Sequence, residues 1–448
     1  MTDDAVQTNT AVSPPVPLHP PRFNWNTVFR GDPERASYNA CVGNNGEPDI
    51  YHYADGYAES VKLLINDLTE GRGMLDILIY PICFCMRHSV ELAIKGQITD
   101  LVWLATVRQQ PLGTDTQIEN ILGKHDIKNL WDFFVQGTLK TDRRYAAVIT
   151  PLTPLIKCIA DTDPTGQTFR YSYSTEAVKH LTDVSIINIL VLQEQFGIIW
   201  NTLEALRELT ELLSREYQTG TFTRRLSRND LVNIAKRLPA RSTWGESDFA
   251  EIKTAIKAEY EIGSKELTLA CNLIQKTRDT ARMIGIQVSI PGLSGDDFIQ
   301  LNEIWKTGWD LSELESDLRD DIDGHREPRS APVNMQESIQ RERSAEKNLP
   351  HSLERFRQWG TPDKLAGLLT LLEAGMDCYC EIYDSRFARN QSYMMTVFDG
   401  TSEAYETQVL DIWRRSVGRK CYPALIIRKL RQAGFRQESS AVINNLFA

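Results

Sequence analysis

The hydrophobic positions of this chain recur mainly every three or four residues, which is the spacing of one face of an α-helix. The first such segment runs from Tyr53 to Thr69 and ends at the turn Gly71 to Gly73. An almost wholly apolar run follows from Met74 to Met86. Pro81 predicts a break or kink in that run, after which a second helix restarts and continues to about Val107.

Two more helices are predicted before residue 220. A short one is headed by His125 and Asp126 and ends near Gln136, with Asp126 suited to cap its amino end. A long one extends from about Ser185 to Gln218. Residues 141 to 180 contain proline turns, so an irregular crossover is predicted there.

Helical spacing continues through the second half, and alternating strand patterns are almost absent. The predicted fold class is therefore all-α, a multi-domain helical protein containing an antiparallel bundle. The predicted segments are an irregular leader (1–50), the bundle (51–220), a second helical region (221–312), a charged linker or mobile loop (313–360) and a small C-terminal helical domain (361–448). Helices are predicted there at Asn229–Leu238, Glu246–Ile262, Lys265–Met283, Pro362–Tyr383, Ser402–Ser416 and Pro423–Ala433.

Composition narrows the functional classes. The chain has 448 residues and a formal net charge of −10, so any surface that binds nucleic acid must be local. Its eight cysteines are scattered with no secretory segment before them, which favours a reduced, cytoplasmic protein. No apolar run is long and uninterrupted enough to predict a membrane anchor.

Charged residues enter the otherwise apolar second helix at a regular spacing. Arg87, Glu91 and Lys95 lie four residues apart, so they share one helix face and the carboxylate can meet a cation on either side. Because unpaired buried charges are costly, this helix is either a structural clasp or the wall of a site.

Three separated motifs accompany this helix: Arg-His-x-x-Glu-Leu-x-x-Lys, then Lys-His-Asp-Ile-x-x-Leu-Trp, then Phe-Arg-Tyr. Together they resemble a branch of the HEPN superfamily of small helical bundles, over about Tyr53 to Gln218. The resemblance implies an all-α bundle, frequent dimerisation and, in many members, metal-independent RNA cleavage in toxin or antiviral defence systems. Its marks are Arg87, Glu91, Lys95, His125, Asp126, Leu130, Arg170 and Tyr171.

The chain departs from this family where the chemistry matters. Catalytic members carry an Arg-x4-6-His pair, and no such pair lies between Tyr53 and Gln218. The transferred roles of the motif residues are therefore structural first, with an active cleft as the alternative.

A pair with the required spacing lies further along, at Arg319 and His325. His325 would act as general base on the ribose 2′-hydroxyl or as acid on the leaving oxygen, while Arg319 would stabilise the charged phosphorane without a metal. The aspartates around this pair repel phosphate, so a solvated loop is the alternative interpretation.

Two basic clusters oppose the acidic average and predict contact with phosphates, although solvated helix faces explain them equally well. The pairs Cys83/Cys85 and Cys378/Cys380 have poor spacing for a metal, and no nucleotide or metalloprotease motif occurs, so no metal and no cofactor are predicted. The basic residues are Arg224, Arg225, Arg228, Lys236 and Arg237, and then Arg414, Arg415, Arg428, Lys429 and Arg431.

The sequence thus predicts an RNA-targeting, HEPN-like protein of a defence or toxin system, acting as a metal-independent endoribonuclease. Two alternatives stay open: a non-catalytic interaction or dimerisation module, and a nucleic-acid binder without catalysis. The expected partners are RNA and a second copy of the chain or another protein, with no membrane.

Overall fold

A computed structural model describes residues 28–173, 181–323, 343, 345–374, 379–398 and 403–448. These residues form eighteen α-helices, four short 3-10 helices and two isolated β-bridges, without a β-strand. The all-α prediction is confirmed.

Six of these helices precede residue 220 in the described part of the chain. They are α1 (Ile50–Thr69), α2 (Leu75–Val107), α3 (Asp115–Leu122), α4 (Ile127–Thr141), α5 (Ala146–Thr162) and α6 (Ile189–Gln218).

The described residues after 220 form twelve further helices, most of them shorter. They are α7 (Arg228–Arg237), α8 (Ser247–Glu259), α9 (Ser264–Lys276), α10 (Arg278–Met283), α11 (Gly295–Gly308), α12 (Leu311–Asp323), α13 (Leu349–Trp359), α14 (Pro362–Glu373), α15 (Cys380–Val397), α16 (Glu403–Arg415), α17 (Tyr422–Gln432) and α18 (Arg436–Phe447).

The chain divides into two compact units. The first comprises residues 1–96, 125–127 and 159–200, and the second comprises residues 97–124, 128–158 and 201–448. The five predicted segments do not correspond to these units one to one, and their independence as domains stays a prediction.

In the first unit, α1 buries Ala54, Ala58, Val61 and Ile65, which recur at the helical spacing predicted for this segment. Gly96 of α2 explains how close the two helices come, because a Cβ atom there would lie 2.6 Å from the ring of Tyr51. Any larger residue at that position would push the ring away.

Two apolar cores lie in the described part of the second unit. One is formed by α7 to α10 and includes Leu231, Ile234 and Leu267. The other is formed by α11 to α18, where α14 packs on α15, α17 on α18, and α11 on both α13 and α18.

Several predicted elements are wrong in detail. The second helix does not restart at Pro81 but runs through it from Leu75, because a proline in the second turn removes a single backbone hydrogen bond near one end of the helix. The predicted irregular crossover contains α5, which accommodates Pro151 and Pro154.

The predicted linker, residues 313–360, is helical at both ends in α12 and α13. Leu314, Leu318 and Ile322 are buried there, so three apolar residues at helical spacing outweigh the charged composition. Helices α3, α13 and α18 were not predicted. The predicted helix Lys265–Met283 is two helices, α9 and α10, and the predicted helix Pro362–Tyr383 is also two, α14 and α15.

By length and composition, α2 is the one helix among the described residues that could cross a membrane, and 44% of its most apolar window is buried. A core helix of a soluble protein has the same composition, so the prediction that the chain does not enter a membrane stays a prediction.

Candidate functional site

Arg87, Glu91 and Lys95 lie on one face of α2, as their spacing predicts, and the carboxylate pairs with both cations. The Arg87 and Glu91 side chains are each about 2% exposed. The clasp predicted from the sequence is therefore present, and it is buried in the first unit.

All three guanidinium nitrogens of Arg87 donate hydrogen bonds. Nη1 donates to Glu91, Nε donates to the carbonyl of Asp163 at 3.1 Å, and Nη2 donates to the carbonyls of His125 and, at 2.9 Å, Pro164. One side chain thus joins α2 to the residue pair before α4 and to the loop after α5. These four hydrogen bonds hold the loops against α2, and the structural role expected for Arg87 stays a prediction.

Glu91 is the shared anion of this cluster. One carboxylate oxygen accepts hydrogen bonds from Lys95 Nζ and His125 Nδ1, each at 2.9 Å, and the other accepts from Arg87. Burial alone would raise the pKa of Glu91, but the hydrogen bond from Lys95, the charge of Arg87 and the bond from His125 outweigh it and hold the pKa below its usual value. Glu91 is therefore ionised at neutral pH.

The loop after α5 closes over Arg87. Asp163 accepts the amide of Thr168 at 3.1 Å and leaves its second carboxylate oxygen 4.0 Å from Arg87 Nε. Gly166 has a φ of +78°, and a Cβ atom there would lie 3.2 Å from Arg87 Nη1. Glycine is needed here for its backbone conformation as well as for its lack of a side chain.

His88, next to Arg87 in the sequence, packs on aromatic rings, and its Nδ1 lies 4.0 Å from the Glu91 carboxylate. Its ring stacks on Phe84 at 5.6 Å and contacts Tyr57 edge-on at 4.6 Å. Burial lowers the pKa of His88 below 6.5, and the charges of Arg87, Lys95 and His125 lower it further against the opposing effect of Glu91. A neutral imidazole is the dominant form of His88 at neutral pH.

These residues line a cleft of about 550 Å³ in the first unit, together with Arg170, Tyr171 and Tyr173. The guanidinium of Arg170 lies 5.6 Å from the centre of the Phe84 ring and donates to the Tyr171 hydroxyl at 2.9 Å. Both tyrosines are more than half exposed. The cleft therefore offers a cation and aromatic rings above a buried ionic cluster.

His125 connects that cluster to solvent, since its side chain is 67% exposed while Glu91 is 2% exposed. Because the Glu91 carboxylate is ionised, Nδ1 of His125 must donate to it, which leaves Nε2 as the nitrogen available to a ligand. A carboxylate that fixes the tautomer of an exposed imidazole is an arrangement suited to general acid–base chemistry. Asp126 directly precedes the first residue of α4, which is the position of a helix cap.

The predicted catalytic pair is only half described, since His325 lies outside the described residues. Arg319 lies on α12, where it pairs with Glu315 at 2.7 Å and stacks on the Phe447 ring at 3.9 Å. Both contacts are those of a surface residue in a helix, and the catalytic role of the pair stays a prediction.

The first basic cluster does not act as one surface. Arg224 and Arg225 line a second cleft, whereas Arg228 is buried between Asp279 and Glu381, at 2.8 and 3.1 Å. Arg228 as a nucleic-acid ligand is therefore wrong, because its charge is compensated inside the second unit. The other two are exposed: Lys236, and Arg237, which pairs with Glu259.

The second basic cluster is also divided between surface and structure. Lys429 donates to the carbonyl of Ala374 at the end of α14, and Arg431 donates to that of Ile322 at 2.9 Å. Cations at helix carboxyl ends stabilise those helices, so these two have structural contacts. Arg414 and Arg428 are exposed, and half-buried Arg415 pairs with Asp411 at 3.4 Å.

Asp279, Cys380 and Glu381 place three metal-ligand atoms within 4.8 Å of one another. The Arg228 guanidinium already donates to both carboxylates and contacts the Cys380 sulfur at 3.8 Å. Burial and the neighbouring carboxylates raise the pKa of Cys380 to about 12, which disfavours the thiolate that a metal requires. The arginine is thus the cation that this set of ligands holds.

Sequence reasoning missed the residues that complete the site, namely Asp163, Pro164 and Gly166. They contribute two carbonyl oxygens, which every residue type has, and a left-handed backbone conformation, which only the residues of the turn indicate. The string Asp163-Pro164-Thr165-Gly166 carries a turn signal that could have drawn attention to this loop.

Comparisons of this chain with protein-family models, with curated proteins and with solved structures find no match.

Proposed function

We propose that the protein is a metal-independent endoribonuclease whose active site is the cleft of the first unit. One observation carries the proposal: the buried, ionised Glu91 holds Nδ1 of the exposed His125, in a cleft that a second imidazole, His88, also lines. Two imidazoles beside a cationic side chain are the groups that cleavage of RNA through its own 2′-hydroxyl requires.

The roles follow from the environment of each group. Neutral His88 takes the proton of the ribose 2′-hydroxyl, and the 2′-oxygen attacks phosphorus. His125, in its protonated form, gives a proton to the departing 5′-oxygen, so the products are a 2′,3′-cyclic phosphate and a 5′-hydroxyl. Arg170 stabilises the charge on the phosphorane, and Tyr171 and Tyr173 offer rings on which bases stack.

This proposal places the chemistry differently from the sequence prediction of Arg319 and His325. It is supported by the donors already used by Arg319, which pairs with Glu315, and by the exposed position of His125 in a formed cleft. The wider setting, an RNA-targeting, HEPN-like member of a defence or toxin system in the cytoplasm, rests on the resemblance of the three motifs and on the paired Arg87, Glu91 and Lys95.

The test is incubation of the purified full chain with transfer RNA and mixed cellular RNA in EDTA. We expect cleavage by the wild type and by His325→Ala, and a loss of about 100-fold or more in His125→Ala, because general acid–base groups contribute that much. His351→Ala is the matched control, since His351 is exposed near the start of α13, far from His125 in sequence.

Each other result contradicts part of the proposal. Loss in His325→Ala alone moves the active site to the Arg319 pair. Full cleavage in all three variants removes His125 from the mechanism. Intact RNA with the wild type favours an interaction module instead.

The second candidate function, an interaction module, is supported by a separate observation. Four apolar residues around the start of α2 are between 42% and 66% exposed, and Ile186, Leu190 and Val191 around the start of α6 are at least 57% exposed. Apolar side chains in this number favour a surface covered by a second copy of the chain. Light scattering of the wild type and of Ile77→Glu would test it: a wild-type dimer that dissociates in the variant supports the interaction module. The four residues around the start of α2 are Met74, Leu75, Ile77 and Tyr80.

A further inference from the structure

The second unit contains a larger cleft, of about 780 Å³, that the proposed ribonuclease does not use. Its walls are the end of α4, the segment before α7 and the turn between α8 and α9. Six cationic side chains line it: Arg108, Lys140, Arg143, Arg224, Arg225 and Lys265.

Four acidic side chains also line this cleft, but three of them are already engaged. Asp142 accepts from Arg144 and, at 2.7 Å, from the Tyr217 hydroxyl. Asp230 accepts from Arg143 and Ser227, and Glu266 accepts from Thr223 and from the amide of Arg225.

Three of the cations are differently placed. Lys140, Arg224 and Lys265 are exposed, and their side chains form no ion pair within the described part of the chain. An excess of positive charge thus faces the cleft, which favours an anionic ligand.

Arg108 is the buried cation of this cleft. It is 5% exposed, its guanidinium lies 4.6 Å from the centre of the Tyr217 ring, and Nη2 donates to the carbonyl of Arg224 at 3.1 Å. Its Nε is buried and has no hydrogen-bond partner in the structure. A buried donor without an acceptor is costly, and a ligand oxygen in the cleft would supply one.

The start of α9 lies at the same cleft. Gly263 occupies the cap position and offers no side-chain oxygen to the first amides of this thirteen-residue helix. Gly263 and Lys265 both line the cleft, so the positive end of the helix dipole adds to the cationic side chains.

Tyr260 gives the cleft an aromatic surface in addition to its cations. Its half-buried ring lines the cleft and lies 5.0 Å below the Arg143 guanidinium. A planar base can stack on such a pair, and the volume is in the range of pockets for ligands of this size.

We propose that this cleft binds the phosphate and base of a nucleoside monophosphate, either as a free nucleotide or as the phosphorylated 5′ end of an RNA strand. Arg108, Arg224, Lys265 and the start of α9 hold the phosphate, and Tyr260 with Arg143 holds the base. The site lies wholly in the second unit and does not depend on RNA cleavage in the first.

Isothermal titration calorimetry on the full chain tests the proposal with four probes. They are adenosine 5′-monophosphate, adenosine, and a 2′-O-methyl trinucleotide with and without a 5′-phosphate, which a ribonuclease using the 2′-hydroxyl cannot cleave. We expect a phosphorylated probe to bind about tenfold or more tightly than its unphosphorylated counterpart, the effect of charge-assisted hydrogen bonds to a phosphate.

The variant Arg224→Glu/Lys265→Glu should weaken that binding by about tenfold or more, because both side chains are exposed and their charges face the ligand. Lys236→Glu is the control, since Lys236 is an exposed cation of the same cluster that does not line the cleft. Arg108 is not substituted, because its burial would confound binding with folding.

The two sources of the phosphate are distinguished by which probe binds. Binding of the mononucleotide alone identifies a free nucleotide, and binding of the phosphorylated trinucleotide alone identifies an RNA end. The proposal is overturned if neither phosphate increases affinity, or if Lys236→Glu weakens binding as much as the double variant does.

Discussion

Arg87 in the first unit and Arg228 in the second are both buried arginines, yet their surroundings differ. Arg228 meets two carboxylates, Asp279 and Glu381, and lies 4.6 Å from the centre of the Tyr379 ring. Arg87 meets one carboxylate within hydrogen-bonding distance, Glu91, and otherwise donates to backbone carbonyls.

The carboxylates of Glu91 and Glu381 differ in the other groups that they contact. Glu381 is used to compensate Arg228, and the nearby Cys380 is kept as an unreactive thiol by its raised pKa. Glu91 is shared with Lys95 and His125, so part of its charge acts on a group exposed to a cleft. A buried arginine therefore marks a candidate site only when its anion also contacts an exposed, titratable side chain.

The largest expected effect is a difference in unfolding free energy between substitutions of Glu91 and of Glu381. Glu91→Gln leaves Arg87 without an ionised partner closer than 4.0 Å, so we expect a loss of about 3–5 kcal/mol in unfolding free energy. Glu381→Gln leaves Arg228 paired with Asp279 at 2.8 Å, so a loss of about 1–3 kcal/mol is expected. Urea unfolding followed by hydrogen exchange of peptides from each unit would measure both. Equal losses would show that backbone carbonyls compensate Arg87 as well as a carboxylate does.

Gly166 offers a smaller test of how closely the loop fits Arg87. Gly166→Ala should cost about 1–2 kcal/mol, because its φ is positive and its new methyl group meets Nη1 of Arg87. The matched control is Gly197→Ala in α6 of the same unit, where no atom lies within 4 Å of the added carbon and helix propensity predicts a slight gain. Thermal unfolding of both variants decides the point, and similar melting temperatures would argue against a constrained loop.

The smallest expected effect is on pH dependence. His88 accepts a proton only when neutral, so RNA cleavage should rise with pH through a midpoint below 6.5, since burial lowers the pKa of this residue. Lys95→Met removes one of the charges that lower this pKa and should move the midpoint upwards. Rates of cleavage measured from pH 4.5 to 8 in both proteins would show it. A midpoint that stays in place would remove His88 from the role of base.

Local spacing made part of this structure predictable. The i, i+4 pairs of Arg87, Glu91 and Lys95 and the buried face of α1 both follow from the 3.6-residue period, and both are confirmed. The position of α4 directly after Asp126 is confirmed as well, although the helix continues to Thr141.

Contacts between distant segments were not predictable in the same way. Arg228 reads as a free cation because Asp279 and Glu381 lie far along the chain. The approach of His125 to Glu91 depends on a loop 34 residues away, and the bonds to Asp163 and Pro164 use backbone carbonyls that every residue has. Three prolines gave misleading signals, because Pro81, Pro151 and Pro154 lie within helices.

The four bonds of Arg87 also have a consequence for the order in which the chain folds. Three of them close loops of 38, 76 and 77 residues, which cannot form until the segments before α4 and after α5 have both reached α2. Contacts of such long range form late, so the substitution Arg87→Met should act mainly on the unfolding rate. A partly synthesised chain that ends before residue 163 therefore lacks the completed cleft, and the proposed nuclease activity would begin only once the segment up to Tyr173 has been synthesised.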